Sequence, residues 1–292
     1  WKHRPYAKLI DRYAPHLPDL YLGLAKGANL KENLISTRAP VEVGGCTSFA
    51  ITPGATLDGR PLSGQTKDVS SSRAMQFVVL RLKLTDGAAS ALTLTYQGQL
   101  FGYGFVSGGC AVFRNSLYTG DTGGTMPYEV WGLLALHCPI VEDVEKLTRD
   151  HKVQGSFHCT VADEQGDVIG IEYGPGGPVF LKPKRGIYVH ANAVFTNKRL
   201  MRHEKDDRFF RRADSVDRVK RLRPALEHNL GRLTPQLACA ALMNHEDYPV
   251  GVCRHQAVEA MTGGAVIAEP ALGFLHVIRG PVCQNWPRTH YL

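Results

Sequence analysis

A chain of 292 residues with 43% hydrophobic and 21% charged side chains has the apolar material for a buried core and the balance of an ordinary globule, which excludes disordered and collagen-like states. Its formal net charge of +7 is concentrated between Lys198 and Arg223, which argues against a nucleic-acid binder charged over its whole surface, and no apolar run approaches the roughly 18 residues needed to span a bilayer. The seven cysteines are odd in number and widely spread, a pattern of reduced thiols rather than of a disulfide framework. The expectation is one α+β domain working in water, in the cytoplasm, without membrane or nucleic-acid partners. The chain opens on Trp1 rather than Met, so its natural start is expected to lie upstream.

In chain order, the stretch to Asn33 reads as short helices interrupted by Pro15 and Pro18 and broken at Gly27. From Cys46 the pattern turns to strand, with Thr47 to Thr52 first and turns at Pro53-Gly54 and Asp58-Gly59. Val78, Leu80, Leu82 and Leu84 alternate with Arg81 and Lys83, and Leu92, Leu94 and Tyr96 alternate with threonines, so a hairpin closed at Asp86-Gly87 is predicted. Pro127 to Leu147 predicts two helices separated at Pro139. Phe157 to Ala162 and Asp167 to Tyr173 read as a second hairpin, and Gly186 to Ala191 as a further strand. Val216, Val219, Leu222 and Leu226 predict one face of an amphipathic helix whose arginines and lysines are solvated or receive an anionic substrate tail. A helix from Pro235 to Asn244 and strands at Gly264 to Ala268 and Phe274 to Ile278 complete the chain.

Most chemical signatures are absent: there is no P-loop, no His-Glu-x-x-His, no Gly-x-Ser-x-Gly and no Cys-x-x-Cys. His137-Cys138, His158-Cys159 and Cys253-Arg254-His255 come nearest to metal-ligand clusters but lack the spaced pairs of a zinc site, so no metal is expected. Cys110, Cys138, Cys159 and Cys239 read as buried core thiols, and a Cys253–His255 dyad is a further candidate for thiol chemistry. Cys46 stands apart because it follows Gly44-Gly45 at the change from helix to sheet. Glycine tolerates the backbone geometry that exposes its carbonyl, so the thiol could attack the Gly45 carbonyl and open the chain. The freed α-amino group, with an ordinary pKa of about 7.7–8.0, would then serve as base to its own thiol. The same residues also suit an ordinary cysteine in a glycine-rich turn. Taken singly, Asp68 reads as a turn residue, Asn192 as a strand-end polar residue, Arg254 as a surface cation, and His190, His245 and His255 as structural hydrogen-bonders.

Seven segments together resemble the penicillin acyltransferase family, the isopenicillin N acyltransferase-like branch of the cysteine N-terminal nucleophile hydrolases. They are Gly23 to Asn29, Gly45-Cys46-Thr47-Ser48, Gly64 to Asp68, His190-Ala191-Asn192, Ser215 to Leu222, His245 to His255, and Gly280 to Cys283. The resemblance implies a four-layer αββα sandwich and cleavage between Gly45 and Cys46. Residues 1–45 would form the propeptide or α-subunit, residues 46–292 the catalytic β-subunit, and the mature protein a heterodimer of these pieces. It makes Cys46 the nucleophile, Asp68 the holder of the new α-amino group, Asn192 an oxyanion donor and Arg254 a clamp for carboxylates near Asp68. Val106, Thr66 and Lys67 are candidate substrate or oxyanion contacts; Val106 replaces an asparagine of the family pattern and Ala191 a threonine. No cofactor is implied. A small-molecule acyl donor and an amine or water acceptor are, with acyl-coenzyme A a candidate donor whose phosphates the basic segment could hold. Amide hydrolysis and an unprocessed, non-catalytic ligand binder are the alternatives.

Overall fold

The computed structural model describes residues 4–31, 44–83, 90–120, 122–205, 212–255 and 260–292. It begins with α1 (Ala7–Tyr13) and α2 (Leu17–Gly27), followed by β1 (Cys46–Ile51), β2 (Leu62–Val69) and the short α3 (Ser71–Ala74). Next come β3 (Phe77–Leu82), β4 (Ala91–Tyr96), β5 (Tyr103–Val106) and β6 (Ala111–Ser116), then α4 (Tyr128–His137) and α5 (Val141–Asp150). The chain continues through β7 (Phe157–Ala162), β8 (Val168–Tyr173), β9 (Val179–Leu181) and β10 (Ile187–His190) to α6 (Lys198–Met201), α7 (Arg212–Glu227) and α8 (Pro235–Leu242). It closes with β11 (Met261–Glu269), β12 (Phe274–Arg279) and β13 (Arg288–Tyr291).

The strands pair antiparallel into two sheets, one of order β10-β1-β2-β11-β12-β13 and one of order β3-β4-β5-β6-β7-β8-β9. Because side chains alternate along a strand, each sheet has one face for its partner sheet and one for helices. Leu92, Phe105 and Phe113 meet Val266, Ala268 and Leu275 between the sheets. On the outer face of the seven-stranded sheet, Val112, Val161 and Ile171 pack under Trp131, Leu134 and Leu147, with Ile10, Leu17 and Tyr21 of α1 and α2 in the same core. On the outer face of the other sheet, Phe49, Ile51 and Ile267 pack under Leu222, Leu226 and Leu242. Each fully buried Leu, Ile or Phe contributes about 1.5–3 kcal/mol, and the resulting layer order is the αββα sandwich. Among the described residues no helix is long and apolar enough to cross a membrane.

The alternating segments form strands where predicted, and the helix break at Pro139 separates α4 from α5. Leu84 and the Asp86-Gly87 turn lie outside the described residues. Strands β2, β5, β6, β9 and β13 have no counterpart in the pattern reading. For β2 the reason is physical: between Leu62 and Val69 it carries only Ser, Gly, Gln, Thr, Lys and Asp, a loop-like composition that becomes a strand because β1 and β11 pair with it on both sides. The turn assigned to Asp68 is thereby corrected, since Asp68 is a residue of that central strand. Helix α7 buries Ser215, Arg218, Leu222 and Leu226, so its inner stripe is rotated from the predicted one and takes in an arginine.

Candidate active site

Strands β1 and β2 place Cys46, Lys67 and Asp68 in a region closed to water, where an ionised side chain is costly unless partnered. Cys46 pairs in register with Lys67, and cross-strand partners share a face, so the Lys67 Nζ donates to Cys46 Sγ at 3.4 Å. That face looks toward the seven-stranded sheet: two residues on, Ser48 Oγ bonds Asn115 Oδ1 at 2.6 Å and Thr160 Oγ1 at 2.9 Å. The Lys67 ammonium also lies 5.3 Å from the centre of the Tyr103 ring.

Asp68 has the opposite face. Its Oδ1 accepts from Thr262 Oγ1 at 2.7 Å, while Oδ2 has no hydrogen bond among the described residues and lies 3.9 Å from Arg218 Nη1. Arg218, only 3% exposed, is the hub of this face. It donates from Nη1 to the Cys46 carbonyl and to Thr47 Oγ1, both at 2.7 Å, and from Nη2 to Asn192 Oδ1 at 2.9 Å. Burial lowers the Arg218 pKa and the charge of Asp68 opposes that shift.

Asn192 follows the end of β10, where its backbone N–H donates to Ser215 Oγ on α7 at 2.8 Å. Its Oδ1 accepts the Cys46 N–H at 2.8 Å as well as Arg218, and these two donors fix the amide's orientation. The Nδ2 donates to the Ser116 carbonyl at 3.0 Å. Before the nucleophile, the Gly45 carbonyl accepts the Asp68 N–H at 2.7 Å and the Gly45 N–H donates to the Asp68 carbonyl at 3.1 Å. Tyr118 OH holds the Gly44 carbonyl at 2.9 Å. Both glycines are required by close approach: a Cβ on Gly45 would lie 2.7 Å from Asp68 Oδ2, and one on Gly44 would lie 2.0 Å from the Asp68 carbonyl oxygen.

The structure brings Cys46, Lys67, Asp68 and Asn192 together. Arg254 is joined to Asp68 through Thr262: its backbone N–H donates to Thr262 Oγ1 at 2.8 Å, its guanidinium pairs with Asp214 at 3.6 Å, and its charge acts on Arg218. Thr66 pairs with Thr47 and so lies across the strand from the Cys46 sulfur. Val106 is a core residue under α4, packed with Cys110 and Leu133. Cys253 is buried, and its Sγ lies 3.7 Å from His255 Nε2. His190 is a hydrogen-bonder: its Nε2 bonds Glu172 Oε1 at 3.0 Å, and its ring stacks on His158 at 3.5 Å. Burial raises the Glu172 pKa, but His190 and the N–H groups of Phe195 and Asn197 outweigh it and pull the carboxyl down to about 2. In the basic segment Arg212, Lys220, Arg221 and Arg223 all pair with carboxylates.

Arg218, Thr262 and Tyr118 contact the site without having been singled out for it. Only Arg218 left a signal, because it stands three residues after Ser215 and four before Leu222, a helical spacing that puts it on the buried stripe.

No protein-family model matches the chain, and no curated protein matches it in sequence. Solved structures do. The Caenorhabditis elegans ortholog of N-acylethanolamine-hydrolyzing acid amidase superposes with a TM-score of 0.56 at 15% identity, over 85% of this chain and 100% of that one. Conjugated bile acid hydrolase from Clostridium perfringens gives 0.56 at 11% identity, over 85% of this chain and 97% of its own. Penicillin V acylase from Agrobacterium tumefaciens gives 0.54 at 12% identity, over 80% and 83%. Identities this low speak to architecture: the chain shares the αββα, N-terminal-nucleophile-hydrolase type of fold with these structures.

Proposed function

We propose that the protein cuts its own chain between Gly45 and Cys46 and then works as a cysteine amidase or acyltransferase, with Cys46 as its new N-terminus. The observation that carries this reading is the Asp68 carboxylate, buried beside Gly45 with one oxygen that has no hydrogen bond among the described residues. A buried carboxylate oxygen calls for a donor, and the ammonium created at Cys46 by cleavage would supply one.

In the first step Cys46 Sγ attacks the Gly45 carbonyl carbon, whose oxygen is polarised by the Asp68 N–H at 2.7 Å. The C–N bond breaks, the thiol proton passes to the departing nitrogen, and Gly45 becomes a thioester on Cys46. Water then releases the Gly45 carboxylate, leaving a free thiol and a free α-amine. The catalytic cycle repeats this chemistry on an external acyl group. The amine takes the thiol proton, sulfur attacks the acyl carbon, and the Asn192 amide is assigned to the oxyanion, where losing one donor typically costs about 2.7–4 kcal/mol. Protonation of the leaving amine and attack by water or a second amine complete the turnover. The N-terminal piece stays bound because Ile10, Leu17 and Tyr21 are part of the main core.

An amide donor is favoured over a coenzyme A thioester. The three structural neighbours are named as an amidase, a bile acid hydrolase and an acylase, and the described cations of α7 are already engaged with carboxylates. Incubation of the purified chain, followed by denaturing electrophoresis and N-terminal sequencing, is expected to yield a fragment beginning Cys-Thr-Ser-Phe. The Cys46→Ala chain should stay whole and inactive. A wild-type chain that remains intact yet binds acyl ligands would make the protein a binding relative and overturn the proposal.

A further inference from the structure

The loop after α8, the segment leading into β11 and the turn after β12 converge at one point remote in sequence from Cys46. There the donor atoms of His245, Cys253, His255 and Cys283 all lie within 4.8 Å of one another. The Nε2 atoms of His245 and His255 face each other at 2.9 Å, and His255 Nε2 is 3.7 Å from Cys253 Sγ and 3.3 Å from Cys283 Sγ. Among the described residues no carboxylate belongs to the group.

The geometry points to a structural zinc site with a Cys2His2 ligand set formed by these four side chains. Zinc bonds of about 2.1 Å to nitrogen and 2.3 Å to sulfur, set tetrahedrally, separate two nitrogens by about 3.4 Å and a nitrogen from a sulfur by about 3.6 Å. The three separations that involve His255 lie within about half an ångström of those edges, and the whole group spans no more than 4.8 Å, so a small closing movement of the side chains would complete the tetrahedron. Thiolate and imidazole are the donors that select zinc over calcium or magnesium, and two thiolates balance the charge of the ion. Four protein ligands fill the tetrahedron and leave no place for a reacting water, which makes the site structural. Binding releases the two thiol protons to solvent.

Such an ion would serve the candidate active site from a distance. Arg254 lies between two of the ligands, and its backbone N–H holds Thr262, whose hydroxyl holds Asp68. Pinning residues 253 and 255 would fix that relay. The pattern escapes a spacing test because the fourth ligand comes 28 residues after His255.

The test is elemental analysis of the full chain, expressed with zinc in the medium, purified under reductant and dialysed to constant composition. One zinc per chain is expected. The Cys46→Ala chain should retain it, whereas Cys253→Ser and Cys283→Ser should each lower the occupancy at least tenfold. Replacement by cobalt in the unaltered chain should give tetrahedral d–d absorption with a thiolate-to-cobalt charge-transfer band, a readout that does not depend on any variant folding. The inference is overturned if folded wild-type protein holds far less than one metal and takes up no cobalt. Loss of the metal in Cys46→Ala, or recovery of Cys253 and Cys283 joined as a disulfide from the reduced preparation, would overturn it too.

Discussion

Replacing Arg218 by methionine keeps much of the side chain's volume while removing its charge and its hydrogen bonds. In the Cys46→Ala background, where every chain stays uncut, Arg218→Met deletes the donors to the residue-46 carbonyl, to Thr47 and to Asn192. It also leaves the Asp68 carboxylate, 0% exposed, with no cation at 3.9 Å. Breaking a buried pair from one side costs about 3–5 kcal/mol, a large share of the roughly 5–15 kcal/mol that holds a domain together. Urea denaturation should register that loss as a lower midpoint. Asp68→Asn in the same chain removes the stranded charge, so the double variant should be more stable than the sum of the singles by over about 1 kcal/mol. Arg218→Lys should recover only part of the loss, because one ammonium cannot span three acceptors held by a planar fork. Singles that add to within about 0.5 kcal/mol would refute the assignment of Arg218 and Asp68 to one network.

Gly44→Ala would place a methyl 2.0 Å from the Asp68 carbonyl oxygen at a φ of +153, so release of the fragment starting at Cys46 should slow by at least tenfold; unchanged processing on a timed gel would refute the required close approach. Stability should also fall with acid in two stages. Burial lowers the His137 pKa to about 4, so the folded chain stays neutral there while the unfolded chain takes up a proton below about 6.5. Stability is therefore lost between pH 6.5 and 4. Glu172, held near 2 against an ordinary 4.5, contributes stability above pH 4.5 that disappears as the pH falls toward 2. Each contribution is on the order of 3 kcal/mol, and a urea midpoint that stays flat from pH 7 to pH 4 would refute the first.

Much of the scaffold is legible in local pattern. The alternation in β3 and β4, the β-branched and aromatic runs of β7 and β8 bounded by a turn, and the proline between α4 and α5 reflect side-chain preference and a missing N–H, both properties of a few neighbouring residues. Strand β2 is illegible for the opposite reason. Its sequence Leu-Ser-Gly-Gln-Thr-Lys-Asp-Val has the composition of a loop, and it becomes a strand because β1 and β11 satisfy its backbone on both sides. Within the site, Cys46 stands out through its glycine pair, and Asp68 and Asn192 through resemblance. Arg218 reads as one more surface cation until packing shows that its stripe faces the sheet.

By itself, the sequence determined a layered α+β chain and singled out one thiol behind two glycines, because periodicity and glycine chemistry act over a few residues. Only the tertiary structure decided that Arg218 stands beside Asp68, and that His245, Cys253, His255 and Cys283 meet at one point. Those groupings join residues as much as 150 positions apart, as Arg218 and Asp68 are. They are set by strand register and by the rotation of a helix on a sheet, which no local pattern encodes.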